Sequence, residues 1–131
     1  EIEKVNLILK HVEGRYINLA GMITLNELAA LSSIADLFFG VSTSAMHIAA
    51  AAGAPVIAVF GPCPIDLWYP WGGGHTVIVK QMPCLCCGQN GCNGTGISRC
   101  LEELEPDAIL KKIDEVLDKG RPDGTNIWIV P

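Results

Sequence analysis

The stretch from Phe38 to Pro62, FFGVSTSAMHIAAAAGAPVIAVFGP, leaves few folds open to this chain. It reads as an apolar strand, a polar turn, a short Ala-rich helix, a glycine stop, a second apolar strand and a Gly-Pro loop. Strands covered on both faces read as unbroken apolar runs, whereas half-solvated strands alternate. Leu37–Gly40 and Val56–Phe60 are unbroken runs, so both are expected to be central strands. A helix lies between them, and strand–helix alternation continues along the chain. The predicted class is therefore α/β, a parallel sheet with flanking helices.

The remaining elements follow from local patterns. Glu1 to Glu13 carries Ile2, Val5, Leu9 and Val12 at helical spacing. Tyr16–Leu19 is a short strand candidate. Thr24-Leu25-Asn26-Glu27 is a capping box, with Ile23 and Leu28 as its staple, and opens a helix to about Ser33. A helix over Ala45–Ala52 stops at Gly53. Gly61–Gly74 is a loop rich in Pro, Gly and aromatics. Thr76–Lys80 is β-like. Pro106–Lys119 is a closing helix, with Pro near its first position and Gly120 as its stop. Asn126–Val130 is either a terminal strand or a crossing tail.

Size and charge exclude several function classes. At 131 residues, half of them apolar, the chain is one domain or part of one. A net charge of −5 and a pI near 5.0 argue against sequence-independent nucleic-acid binding, which needs a basic stripe. The longest apolar run, Ile48 to Phe60, is broken by Gly53 and Pro55 and is too short to span a bilayer. The chain opens mid-pattern at Glu1 without Met, so an upstream segment is expected.

Ligands of open α/β sheets bind beyond the carboxyl ends of strands. Ser42-Thr43-Ser44 lies on that rim and opens a helix. Backbone N–H groups of Thr43, Ser44 and Ala45 are free there to meet an anion such as a diphosphate, and His47 in the first turn can reach the same group. The plainer alternative makes Ser42 an N-cap and His47 a half-buried packing residue. No Gly-Lys-Ser/Thr and no GxGxxG accompanies the turn.

Five of the six cysteines fall between Cys84 and Cys100. Cys84, Cys87, Cys92 and Cys100 are spaced CxxC, x4, C, x7, C, and four thiolates can hold a tetrahedral zinc. Reduced thiols packed under the loop, or one or two disulfides, satisfy the same spacing. A cysteine nucleophile is disfavoured, since only His75 is near in sequence. Trp68, Tyr69 and Trp71 either stack on a sugar or base or pack against another domain. Asp66 is one of few carboxylates in that loop, with no catalytic role assigned. Glu102, Glu103, Glu105 and Asp107 favour the positive end of the last helix.

Taken together, LAG.ITLNELAAL, ADLFFG, MHIAAAAGAPVIAVFGP and WYPWG resemble the C-terminal half of the heptosyltransferases, glycosyltransferase family 9. The likeness runs from the first helix to about Leu117 and includes the Cys-rich segment. It implies a Rossmann-like parallel sheet, the donor half of a two-domain GT-B enzyme of bacterial lipopolysaccharide assembly. Residues 1–120 would be the nucleotide-sugar-binding domain with a Cys-rich insert at 84–100, and residues 121–131 a tail without counterpart. The donor implied is ADP-heptose, with its phosphates on the turn matched by Ser42, Thr43, Ser44, Ala45 and His47. Adenine would lie near Met22 and Ile23. Transfer is inverting, needs no cofactor and uses a lipid-linked glycan acceptor. The catalytic carboxylate, the acceptor site and a diphosphate-neutralising basic residue are expected upstream of Glu1. The chain alone would then bind nucleotide weakly and catalyse nothing. A cytoplasmic location, with peripheral contact at the inner membrane face, follows from the same likeness. At the critical turn the family's Asp-Ser/Thr-Gly-Pro-Met-His is replaced by Ser42-Thr43-Ser44-Ala45-Met46-His47. That departure keeps open a non-catalytic relative binding another anion or nucleotide. A zinc-stapled interaction module built on the cysteine segment is the other alternative.

Overall fold

The computed structural model describes residues 2–120 and 122–131. Four strands form one parallel sheet: β1 (Phe38–Val41), β2 (Val56–Phe60), β3 (His75–Lys80) and β4 (Thr125–Val130), in that spatial order. The helices are α1 (Ile2–Leu9), α2 (Leu25–Ser33), α3 (Ser44–Ala51), α4 (Ile65–Trp68), α5 (Arg99–Glu102) and α6 (Pro106–Lys119), with a 3₁₀ turn at Cys92–Gly94. The parallel sheet with helices on it is the predicted class.

Two apolar clusters cover the two faces of the sheet. The period-2 alternation of strand side chains separates them. Val56, Ala58 and Phe60 of β2 join Val77 and Val79 of β3 on one face, where Met46 and Ala49 of α3 and Ile65 of α4 cover them. Ile57, Val59 and Ile78 face the other way, against Ile109, Ile113 and Val116 of α6. Every residue of β2 is buried, as its unbroken apolar run requires.

Helix ends follow the local chemistry. The Thr24 hydroxyl accepts from the Glu27 N–H at 3.3 Å, and the Thr24 N–H donates to the Glu27 carboxylate at 2.7 Å. At the end of α3, Ala54 N–H reaches the Ala49 carbonyl and Gly53 N–H the Ala50 carbonyl, each at 3.0 Å. That pair of bonds is a Schellman motif, and it puts Gly53 at φ +87°, a conformation glycine adopts freely.

Several expectations need correction. β1 is an edge strand among the described residues, with Phe39 and Val41 about half exposed. Tyr16–Leu19 forms no strand. Its Asn18 side chain accepts the Ala20 N–H instead. The first helix ends at Leu9, where i→i−3 bonds from His11 and Val12 tighten the chain. Its predicted first residue, Glu1, lies outside the described residues. The 61–74 loop contains the single-turn α4. Of the segment set apart as a tail, Thr125–Val130 is β4, in register with β3 from His75↔Thr125 to Lys80↔Val130.

Candidate functional site

The site lies where β1 and β2 end. Val41 closes β1 and the chain turns through Ser42 and Thr43 into α3. Thr43, not Ser42, is the N-cap, with φ −140° and ψ 172°. Its hydroxyl caps no helix N–H and donates to the Val41 carbonyl at 3.4 Å. The N–H groups of Met46 and His47 return to the Thr43 carbonyl at 3.1 and 3.4 Å. The N–H groups of Thr43, Ser44 and Ala45 have no hydrogen-bond partner among the described residues. Three donors at the positive end of a helix are thus free to bind from solvent.

Those donors border a cleft of about 380 Å³ lined by Ser42, Thr43, Ser44, His47, Cys63 and Trp68. Cys63 comes from the loop after β2, and Trp68 from α4. The His47 and Trp68 rings stand 6.4 Å apart at 59°, within the range of tilted aromatic pairs. Trp68 supplies the aromatic part of the cleft's lining. No carboxylate is among the lining residues. An anion entering from this side meets hydroxyls, an imidazole and N–H groups.

Of the residues picked out by sequence, Ser42, Thr43, Ser44 and His47 meet in this cleft. Ala45 is the second residue of α3 and contributes its N–H. Met22 and Ile23 lie in the turn ahead of α2, Met22 well exposed, and neither lines the cleft. Helix α2 packs on α3, which ties that turn to the site's own helix. Cys63 was not singled out by sequence reasoning. Its position just past Gly61-Pro62, at the carboxyl end of a buried strand, was the available signal. Trp71, on the same loop as Trp68, is 84% exposed and lines no part of the cleft.

The cysteine segment forms a separate feature. Cys84, Cys86, Cys87, Cys92 and Cys100 line one small pocket of about 10 Å³. All six cysteines are free thiols. Cys100 is buried, and burial pushes its thiol pKa up. Among the described residues, no three His, Cys, Asp or Glu side chains already stand where they could jointly hold a metal ion.

Comparison with known proteins gives a consistent set of similarities. A family model described as glycosyltransferase family 9 (heptosyltransferase) matches residues 1–97. Lipopolysaccharide heptosyltransferase 3 of Escherichia coli is 47% identical over 53 residues, 40% of this chain and 16% of the relative. Lipooligosaccharide heptosyltransferase 2 of Haemophilus influenzae is 31% identical over 103 residues, 79% of this chain and 30% of the relative. The protein of the same name from Campylobacter jejuni is 25% identical over 111 residues, covering 84% and 34%. The chain thus spans about a third or less of the curated relatives it matches. No solved structure matches it.

Proposed function

The chain belongs to glycosyltransferase family 9, the heptosyltransferases, and on that premise we propose that it is the nucleotide-sugar-binding half of a glycosyltransferase of lipopolysaccharide core synthesis. The observation that carries the proposal is the cleft at the N-terminus of α3, where free N–H groups, hydroxyls and an imidazole converge beyond two parallel strands. The relatives' names, lipopolysaccharide and lipooligosaccharide heptosyltransferase, support a heptose donor and a cell-envelope glycan acceptor. The donor proposed is ADP-heptose.

In this reading the diphosphate oxygens accept from the N–H groups of Thr43, Ser44 and Ala45. The α3 dipole adds about 0.3–1 kcal/mol at such an exposed end. Each charge-assisted hydrogen bond adds about 1.5–3 kcal/mol. The Thr43 and Ser44 hydroxyls complete the donor set, and His47 stands within the cleft to donate a ring N–H. Trp68 supplies a flat apolar wall for sugar or base, and the adenine extends toward Met22 and Ile23. Stabilising the departing nucleoside diphosphate is this half's contribution to transfer, because negative charge grows on those oxygens as the glycosidic bond breaks. Transfer is inverting, with the base and the acceptor supplied by a preceding half, and it needs no cofactor.

The enzyme would work at the cytoplasmic face of the membrane. No helix among the described residues is long and apolar enough to cross a membrane. Ser42 and Ser44, standing where the family pattern has Asp and Gly, support a second reading: a relative that keeps the anion site without transfer activity.

An NMR titration of the 131-residue chain with ADP, UDP and pyrophosphate tests the proposal. Shifts at Thr43 to His47 and near Met22, larger for ADP than for UDP, are expected. Equal shifts with pyrophosphate would reduce the site to a generic anion-binding helix end. Silence at that turn would remove the donor-site assignment.

A further inference from the structure

Between β3 and α5 the chain runs through residues 81–98 with only one 3₁₀ turn. Irregular segments of this length need some device to hold them. Here the apolar anchors reaching the core are Leu85 and Cys86. Its hydrogen bonds gather in the second half, among them Cys92 N–H to the Ile97 carbonyl at 2.7 Å, Gly96 N–H to the Asn90 carbonyl at 3.2 Å, and the Thr95 hydroxyl to the Cys92 carbonyl at 2.8 Å. In the first half, Leu85 N–H reaches the Met82 carbonyl at 3.1 Å and Gly88 N–H the Pro62 carbonyl at 2.7 Å. The second half folds back on itself tightly. A Cβ at Gly91 would lie 2.4 Å from the Gly96 and Ile97 backbone nitrogens, so only glycine fits.

This tight fold brings separated cysteines together. Cys84 and Cys87 lie on the first turn, Cys92 on the second, and Cys100 is buried in α5. All four line one pocket whose volume, about 10 Å³, is on the scale of a single water or ion. Each turn carries left-handed residues beside its thiols: Cys86 and Gly88 flank Cys87, and Gly91 and Asn93 flank Cys92.

We propose that this pocket is a binding site for one thiophilic divalent cation, zinc foremost, held by Cys84, Cys87, Cys92 and Cys100. Four sulfurs match the closed tetrahedral coordination of structural zinc. Because the thiols surround the pocket without three yet at ligating positions, binding draws the two turns inward, and metal uptake and loop ordering are one event. Each ligating thiol releases its proton to solvent as a sulfur lone pair goes to the cation, and no electron changes hands. The site staples the insert to α5.

The test is a titration of the reduced, metal-stripped 131-residue chain with Co²⁺ as the probe, followed by Zn²⁺. The expected result is a thiolate-to-cobalt charge-transfer spectrum saturating at one equivalent and displaced by one equivalent of zinc. Of the six thiols that react with a disulfide reagent, about two should remain reactive once four bind zinc. Cys92→Ser and Cys84→Ser should each abolish the tetrahedral spectrum while circular dichroism stays native. Cys86→Ser should retain it. Six reactive thiols in the presence of zinc would overturn the proposal. So would the absence of a thiolate–cobalt band, or disulfide formation in the reduced chain's place. Loss of binding in Cys86→Ser equal to that in Cys92→Ser would overturn the ligand set.

Discussion

Ser44→Pro separates the backbone of the cleft from the fold that presents it. Ser44 is the first residue of α3, and its N–H has no hydrogen-bond partner among the described residues. Proline at a first helical position removes a donor the helix does not use and brings its φ already set. The residue before a proline must be extended, and Thr43 already is, at φ −140° and ψ 172°. The substitution should therefore change stability by no more than about 0.5 kcal/mol. On the donor-site proposal, the same change removes one donor to the diphosphate. A hydrogen bond to a charged group is worth about 1.5–3 kcal/mol, which is about 10- to 150-fold in affinity. Because Ser44 is exposed, the lower end applies, about a tenfold rise in Kd for ADP. Ser44→Ala is the companion variant, since it removes the hydroxyl and keeps the N–H. Amide shift titrations read the affinities, and a thermal melt confirms the fold. If Ser44→Pro melts like the parent and binds ADP equally well, the α3 N–H groups do not hold the phosphates. If Ser44→Ala loses as much as Ser44→Pro, the hydroxyl is the contact and the backbone argument fails.

Two further outcomes follow from the fold. Met46 is fully buried between α3 and the sheet, so Met46→Ala should cost about 2–5 kcal/mol, while Met46→Leu should cost less than about 1.5. With a urea slope of about 2 kcal/mol/M the first lowers the unfolding midpoint by about 1–2.5 M, and a change under about 0.3 M would show that the site collapses around the gap. The Thr24 backbone N–H, then its hydroxyl, hold the Glu27 carboxyl below its ordinary pKa. The sign is that of a depressed acid: the ionised capping box contributes stability above the unfolded carboxylate pKa, and the contribution is lost as pH falls through the folded value. Glu27→Gln should therefore be less stable than the parent at neutral pH and converge with it in acid. A constant gap at all pH values would rule out the ionised box as the cause.

How much of the fold could be read in advance depended on how local its determinants are. Val56–Phe60 and Pro106–Lys119 match the predicted spans because an unbroken apolar run and a Pro-to-Gly bracket are written within the segment. The capping box did the same for α2. Tyr16–Leu19 misled because its residues suit a strand, but a strand exists only with a partner, and none of the described strands reaches it. α4 is one turn long, closed by the Tyr69 N–H to the Ile65 carbonyl, and one turn has no period to detect. β4 could not be told from a tail for the opposite reason. Ile127 and Ile129 are half exposed, so its pattern carries a weak burial signal, while its place is set by pairing with β3.

The cleft divides along the same line. Its Ser42–His47 edge is contiguous and was legible as a helix start after a strand; of the edge from the next connection, Trp68 was legible as one of two alternatives, stacking on a ligand or packing, and Cys63 was not. The structure adds something about Ser44 that the sequence pattern alone could not. Among the described residues, positive φ values occur at eleven glycines and at Cys86 and Asn93, and residue 44 is not among them. A glycine at this position would therefore answer no demand of the backbone. What a glycine would add there is room for a ligand close against the chain. Ser44 keeps the helix and its N–H but sets a hydroxymethyl group in that approach. On the donor-site proposal, that side chain bears on how closely a phosphate can settle, while the N–H groups of Thr43, Ser44 and Ala45 stay presented at the helix end.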